Sequence, residues 1–121
     1  MSVYLIAAVG PGGQIGLNNT LPWHDAEDLR FFRFMTMGQV CLFGWKTAHA
    51  LPELDGRIIR IDDTSQRPEQ VIAEIEREYE RDIYICGGAK TYARYRHLIR
   101  RSFITHIKYE GVADTFMPAL W

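Results

Sequence analysis

Three apolar runs of strand length constrain this chain most. Val3–Val9 (VYLIAAV), Val40–Phe43 (VCLF) and Ile83–Cys86 (IYIC) contain almost no polar residue. A strand with one face in water alternates apolar and polar residues, so unbroken runs belong to strands covered on both faces. Each run ends in glycine: Gly10-Pro11-Gly12-Gly13, Gly44 and Gly87-Gly88. Helical patterns fill the intervals, and Arg57–Ile61 and Ser102–Tyr109 read as the third and fifth strands in chain order. The predicted architecture is α/β, three layers α/β/α around a central, mostly parallel sheet, in one domain over 1–121.

The most informative helix follows Leu21-Pro22-Trp23. Pro22 fixes its own φ and holds Leu21 extended, and Asp25 is suited to cap the helix that runs to Thr36. Positions three, four and seven residues beyond Asp28 are Phe31, Phe32 and Met35, so Asp28 heads an apolar stripe. An acid in a first helical turn is favoured by the helix dipole whatever its function. A carboxylate on the apolar side of its own helix is the alternative, and it marks a site. Gly44-Trp45-Lys46-Thr47 opens a short helix to about Ala50, Pro68 starts another with Val71, Ile72, Ile75 and Tyr79 as its apolar stripe, and Ala89–Ile99 reads as the last. Gln14–Thr20 reads as loop and Glu110–Trp121 shows no clear period.

Composition narrows the function classes. The chain has 121 residues and a formal net charge of −1, which gives no electrostatic footprint for nucleic acid or anionic lipid. No apolar run approaches membrane-spanning length, and Met1-Ser2-Val3-Tyr4 lacks a basic leader. Cys41 and Cys86 lie inside apolar runs, which fits buried free thiols in a reducing cytoplasm and leaves a disulfide open. His24, His49, His97 and His106 show no metal-ligand spacing, so no metal is expected. Gly44-Trp45-Lys46-Thr47 does not have the spacing of a phosphate-binding GxxxxGK[ST] loop. In parallel sheets ligands bind beyond the carboxyl ends of strands, and the three glycine breaks are such places.

Taken in order, Ile6-Ala7-Ala8, Ile15-Gly16, Leu21-Pro22-Trp23, Asp28-Leu29 with Phe32, Gly44 with Thr47, Cys86-Gly87-Gly88 with Tyr92, Thr105-His106-Ile107 and Asp114-Thr115-Phe116 resemble the pattern of the dihydrofolate reductase family. The resemblance covers roughly residues 3 to 118. It implies reduction of 7,8-dihydrofolate to tetrahydrofolate, a step of one-carbon metabolism, by hydride transfer from NADPH. Asp28 would orient the pterin and assist its protonation, with Trp23 and Thr105 completing the catalytic set. Ile6, Ala8, Leu29, Phe32, Leu51 and Cys86 would wall the substrate, and Arg57 would hold its glutamate carboxylate. Ala8, Ile15 and Tyr92 would surround the nicotinamide. Thr47, Gly87, Gly88 and Thr91 would meet the pyrophosphate region, with Asn19, Gly44, Trp45, Lys46, Ser65, Ala89 and Lys90 completing the cofactor set. Residues 10–24 would be the lid.

Departures from the family pattern are informative. Trp45, followed by Lys46, stands where the family commonly has an arginine, which implies a looser hold on the adenosine phosphate. The segment before Pro68 is short by one strand. The family's long C-terminal hairpin has no counterpart before Trp121, so the resemblance is to a compact form, and the fifth strand becomes an exposed edge suited to pairing with a second copy. A non-catalytic binding or structural protein retaining the fold is the alternative from another class. A reductase of another pterin or pyrimidine is the nearer one.

Overall fold

The computed structural model describes residues 2–17 and 21–118. In chain order its elements are β1 (Val3–Val9), β2 (Gln14–Gly16), α1 (Ala26–Thr36), β3 (Val40–Phe43), α2 (Trp45–Ala50), β4 (Ile58–Ile61), α3 (Pro68–Glu78), β5 (Ile83–Ile85), α4 (Ala89–Tyr95), a 3₁₀ turn (Arg96–Leu98), β6 (Arg101–His106) and β7 (Thr115–Phe116). Five strands form one sheet in the order β4-β3-β5-β1-β6. Every neighbouring pair in it is parallel. The α/β layering and the parallel sheet expected from the apolar runs are both present, and β6 stands at one edge.

One face of the sheet carries the main core. Val3, Leu5, Val40, Leu42, Ile83 and Ile85 pack against Val71, Ile72 and Ile75 of α3 and against Tyr92 and Tyr95 of α4. Each such side chain, fully buried, contributes about 1.5–3 kcal/mol. Residues alternating with these, Ile6, Cys41, Phe43 and Tyr84, are buried on the opposite face. Helix α1 lies on that face, where Thr36, its one fully buried residue, hydrogen-bonds the Cys41 thiol.

The expected stripe on α1 needs correction. Asp28, Phe32 and Met35 are half-buried, but Phe31 is exposed and Phe34 is 81% exposed. The helix is fully buried only at its carboxyl end, at Thr36, and its first two turns are exposed or half-buried.

Other boundaries differ as well. Gln14–Gly16, expected as loop, is a strand paired antiparallel with β7 in the tail that showed no period. Three residues and two residues are too short to display a period, and their pairing partner lies at the other end of the chain. The third strand starts at Ile58 and the fourth ends at Ile85, each one residue shorter at one end than expected. The fifth runs Arg101–His106 rather than Ser102–Tyr109, and the last helix tightens into a 3₁₀ turn after Tyr95. Both cysteines are free thiols. Among the described residues no helix is long and apolar enough to cross a membrane.

Candidate active site

Asp25 caps α1 by accepting the Asp28 N–H on Oδ1 at 2.9 Å. Capping is therefore done by Asp25, and the Asp28 carboxylate is left to other work. Thr105 on β6 donates its hydroxyl to that carboxylate. Burial raises the Asp28 pKa above its ordinary carboxylate value, the Thr105 hydrogen bond opposes the rise, and the nearby charge of Asp25 adds to it. The parallel register sets Thr105 beside Ala8 and Phe103 beside Ile6, so β1 and β6 deliver Ile6, Ala8 and Thr105 to one region.

Tyr92 reaches the same place from α4. Its hydroxyl, fully desolvated, donates to the Ile6 carbonyl at 2.9 Å, and burial pushes its pKa well above the ordinary phenol value. The residue expected beside the nicotinamide is thus 4% exposed and holds the β1 backbone from beneath.

On the other side of Asp28, Phe32 carries the Arg57 guanidinium 6.0 Å from its ring centre. Arg57 Nε and Nη1 are buried and find no acceptor among the described residues. Burying donors of a guanidinium without a partner is costly, so these two atoms indicate a site for an anion or carbonyl oxygen. Cys86 and Cys41 lie close enough to feel the Arg57 charge, and burial pushes the Cys86 thiol up. Trp23 presents a second orphan: its Nε1 is buried without an acceptor among the described residues, while its ring lies 5.4 Å from that of Tyr109. Tyr109 was not anticipated. It follows the last long strand, where nothing in local sequence says what it packs on. Leu29 is exposed and Leu51, the residue that ends α2, is half-buried.

A second cluster forms where β3 and β5 end. Gly44 N–H donates to the Gly87 carbonyl at 2.8 Å. A methyl group on Gly44 would lie 2.7 Å from the Thr91 hydroxyl, and one on Gly88 would lie 3.3 Å from the Thr47 hydroxyl. Each glycine thus faces the threonine at the start of the other helix, and a side chain on either would displace it. Gly87 has φ +127°, a conformation that glycine adopts readily. Four residues expected at a cofactor, Gly44, Thr47, Gly88 and Thr91, come together here, with Ala89 opening α4 and Lys90 exposed beside it.

The remaining expected cofactor residues are more scattered. Trp45 is 57% exposed, edge-on to His49 at 5.5 Å, and Lys46 is exposed next to it. Ser65 spends its hydroxyl on the Asp63 carboxylate at 2.6 Å. Ile15 packs against the main core. Asn19 lies outside the described residues, as does part of the expected lid at 18–20. The described first part of that lid is tied down: Met117 N–H donates to the Gly13 carbonyl at 2.8 Å and Asp114 N–H to the Gly16 carbonyl at 3.0 Å. Among the described residues no group of three or more His, Cys, Asp or Glu could hold a metal ion.

Residues 2–121 match the family model described as dihydrofolate reductase. The chain belongs to the dihydrofolate reductase family. Membership makes it an oxidoreductase, and the resemblance drawn from ordered motifs holds over nearly the whole chain. It is 33% identical to the dihydromethanopterin reductase of Methylorubrum extorquens, over 100% of this chain and 93% of that protein. Against the dihydrofolate reductase of Buchnera aphidicola subsp. Acyrthosiphon pisum it is 30% identical over 98% of this chain and 80% of that one. In fold it is similar to a dihydrofolate reductase from Enterococcus faecalis complexed with NADP(H) and RAB-propyl, with TM-score 0.79, 23% identity, and coverage of 98% of this chain and 77% of that one.

Proposed function

We propose that this chain reduces 7,8-dihydrofolate to 5,6,7,8-tetrahydrofolate with NADPH. The observation that carries the reading is Asp28, a half-buried carboxyl with raised pKa, relieved of capping duty and held by Thr105. A planar pterin offers an amino group and a ring nitrogen side by side, and one carboxylate can engage both. That fixes the ring's orientation and favours its protonated form in a low-dielectric setting. Trp23 Nε1 is a donor without an internal acceptor, suited to an oxygen of the substrate or a bound water. Ile6, Leu29, Phe32 and Leu51 supply the apolar walls.

The glycine–threonine cluster suits a dinucleotide's phosphates: backbone approach is unhindered at Gly88, and the Thr47 and Thr91 hydroxyls lie at the turns. NADPH, when bound, supplies the hydride. The chain's own residues position the ring, hold a proton at Asp28 and exclude water from the site.

A second reading is favoured by the full-length similarity to a dihydromethanopterin reductase. Both substrates are dihydropterins with an aryl arm. Arg57 weighs towards dihydrofolate, because its two orphan donors suit a carboxylate at the end of a short arm. Following NADPH oxidation with each substrate separates the two. A kcat/KM for dihydrofolate above that for dihydromethanopterin is expected; the reverse order would move the assignment to methanopterin, and no oxidation with either would remove both.

A further inference from the structure

We propose that Cys41 and Cys86 form a paired-thiol site that captures a trivalent arsenical bearing one carbon substituent, through two arsenic–sulfur bonds, and that is set too wide to close as a disulfide.

The sheet makes the pair. In the register of β3 and β5, Cys41 stands opposite Tyr84. The Cys86 N–H continues the ladder just past β5 by donating to the Leu42 carbonyl at 2.9 Å. Cys41 and Cys86 are therefore diagonal neighbours, two residues out of step. Side chains alternate along a strand, so both point to one face of the sheet. On that face the two side chains are hydrogen-bonded to each other. They are the chain's two cysteines, so no other thiol competes.

The diagonal placement decides what the pair can take. One strand spacing across and two residues of rise along put the Cα atoms about 8 Å apart. A disulfide needs Cα atoms closer than about 7 Å and brings the sulfurs to about 2.0 Å. The backbone has little room to give. Leu42 and Ile85 are wholly buried, and the Gly44 N–H donates to the Gly87 carbonyl at 2.8 Å just beyond the pair. A single arsenic atom spans the gap instead, because it holds the sulfurs apart with one bond to each.

The surroundings favour thiolate on one member. The Cys86 hydrogen bond lowers the Cys41 pKa, burial raises it, and the Thr36 hydrogen bond and the Arg57 charge lower it further. The thiolate is the attacking form. Cys86 is the protonated partner: burial and the Cys41 bond push its pKa well up, and its thiol donates to the Tyr84 carbonyl at 3.3 Å. Cys41 has no exposed surface while Cys86 keeps some, so a reagent arrives from the Cys86 side.

The step balances without an oxidant. Phenylarsine oxide carries trivalent arsenic bound to one phenyl group and one oxygen. Two S–H bonds and the arsenic–oxygen bond break, two arsenic–sulfur bonds form, and the oxygen leaves as water with both thiol protons. Arsenic stays trivalent throughout.

Phenylarsine oxide added in equimolar amount to the full chain tests this, read by intact mass and by alkylation of the remaining thiols after unfolding. One adduct per chain is expected, with both thiols consumed. It should survive a monothiol wash and be released by dimercaptopropanol. Cys41→Ser and Cys86→Ser should each give up the arsenical roughly tenfold or more readily to the monothiol, because one bond exchanges where two hold. The thiol count is read on the unaltered chain, so it decides the matter even where a variant fails to fold. Hydrogen peroxide on the folded chain should leave no internal disulfide. Absence of an adduct on the folded chain, an adduct that consumes one thiol, equal retention by a folded serine variant, or an internal disulfide after peroxide overturns the inference.

Discussion

The Thr105 hydroxyl on β6 donates a hydrogen bond to the Asp28 carboxylate on α1, tying the edge strand of the sheet to the first turn of that helix. Burial raises the Asp28 pKa and this bond restrains the rise. Thr105→Val keeps the shape and removes the donor. The midpoint of the pH profile of kcat/KM is expected to move to higher pH, with turnover lower by about tenfold. An unmoved midpoint would separate Thr105 from the titrating group.

Asp28 also links stability to pH. Its folded-state pKa lies above its unfolded value, so the folded chain holds the proton more tightly. The contribution is most favourable below the ordinary carboxyl pKa of 3.8 and declines as pH rises through the raised value. The lowered carboxyls of Asp63, Glu69 and Glu78 have the opposite dependence, but they are common to both proteins when wild type is compared with Asp28→Asn. Wild type should therefore lose ground to the variant between acid and neutral pH. Urea denaturation of both at several pH values reads this, and a constant difference would contradict it.

How much of this was legible in sequence depends on where the signal resides. Val3–Val9, Val40–Phe43 and the Ile83 strand announce a parallel sheet because burial on both faces removes the polar alternation, and the sheet has that form. Asp25 as cap was readable from local chemistry and is the cap observed. Asp28 was placed by helical spacing, yet Phe31 on the same calculated stripe is exposed. Spacing gives the face of a helix, whereas what covers that face is a tertiary fact. The β2–β7 pair, the Tyr109 contact with Trp23 and the Ser65 bond to Asp63 all join segments or side chains whose meeting no periodicity encodes. Motif order carried the candidate site further than periodicity did, bringing Gly44, Thr47, Gly88 and Thr91 into one cluster.

Arg57 carries the argument for a carboxylated substrate arm. Arg57→Lys keeps the charge but loses the planar fork that binds a carboxylate through two N–H groups. The KM for dihydrofolate should rise by roughly tenfold or more with a smaller change in kcat, while a dihydropterin without the arm should be unaffected. Equal losses for both substrates would assign Arg57 to packing against Phe32 instead.

Among the described residues strand β6 pairs with β1 on one side only, leaving edge N–H and C=O groups on the other. Phe34, Val112 and Phe116 add exposed apolar surface. Self-association through this edge is expected at micromolar concentration. Light scattering coupled to size exclusion, on the full chain and on a chain ending at Ala113, measures it; a monomeric full chain would rule it out.

The most direct test is the turnover of Asp28→Asn with saturating NADPH and dihydrofolate. Asn preserves size and is accepted in a first helical turn, and Asp25 continues to cap α1, so the circular dichroism spectrum should be unchanged. Turnover is expected to fall by roughly a hundredfold or more, because the group that orients the pterin and holds its proton has lost its charge. A folded variant with near-normal turnover would contradict that role and leave Asp28 as a first-turn acid favoured by the helix dipole alone.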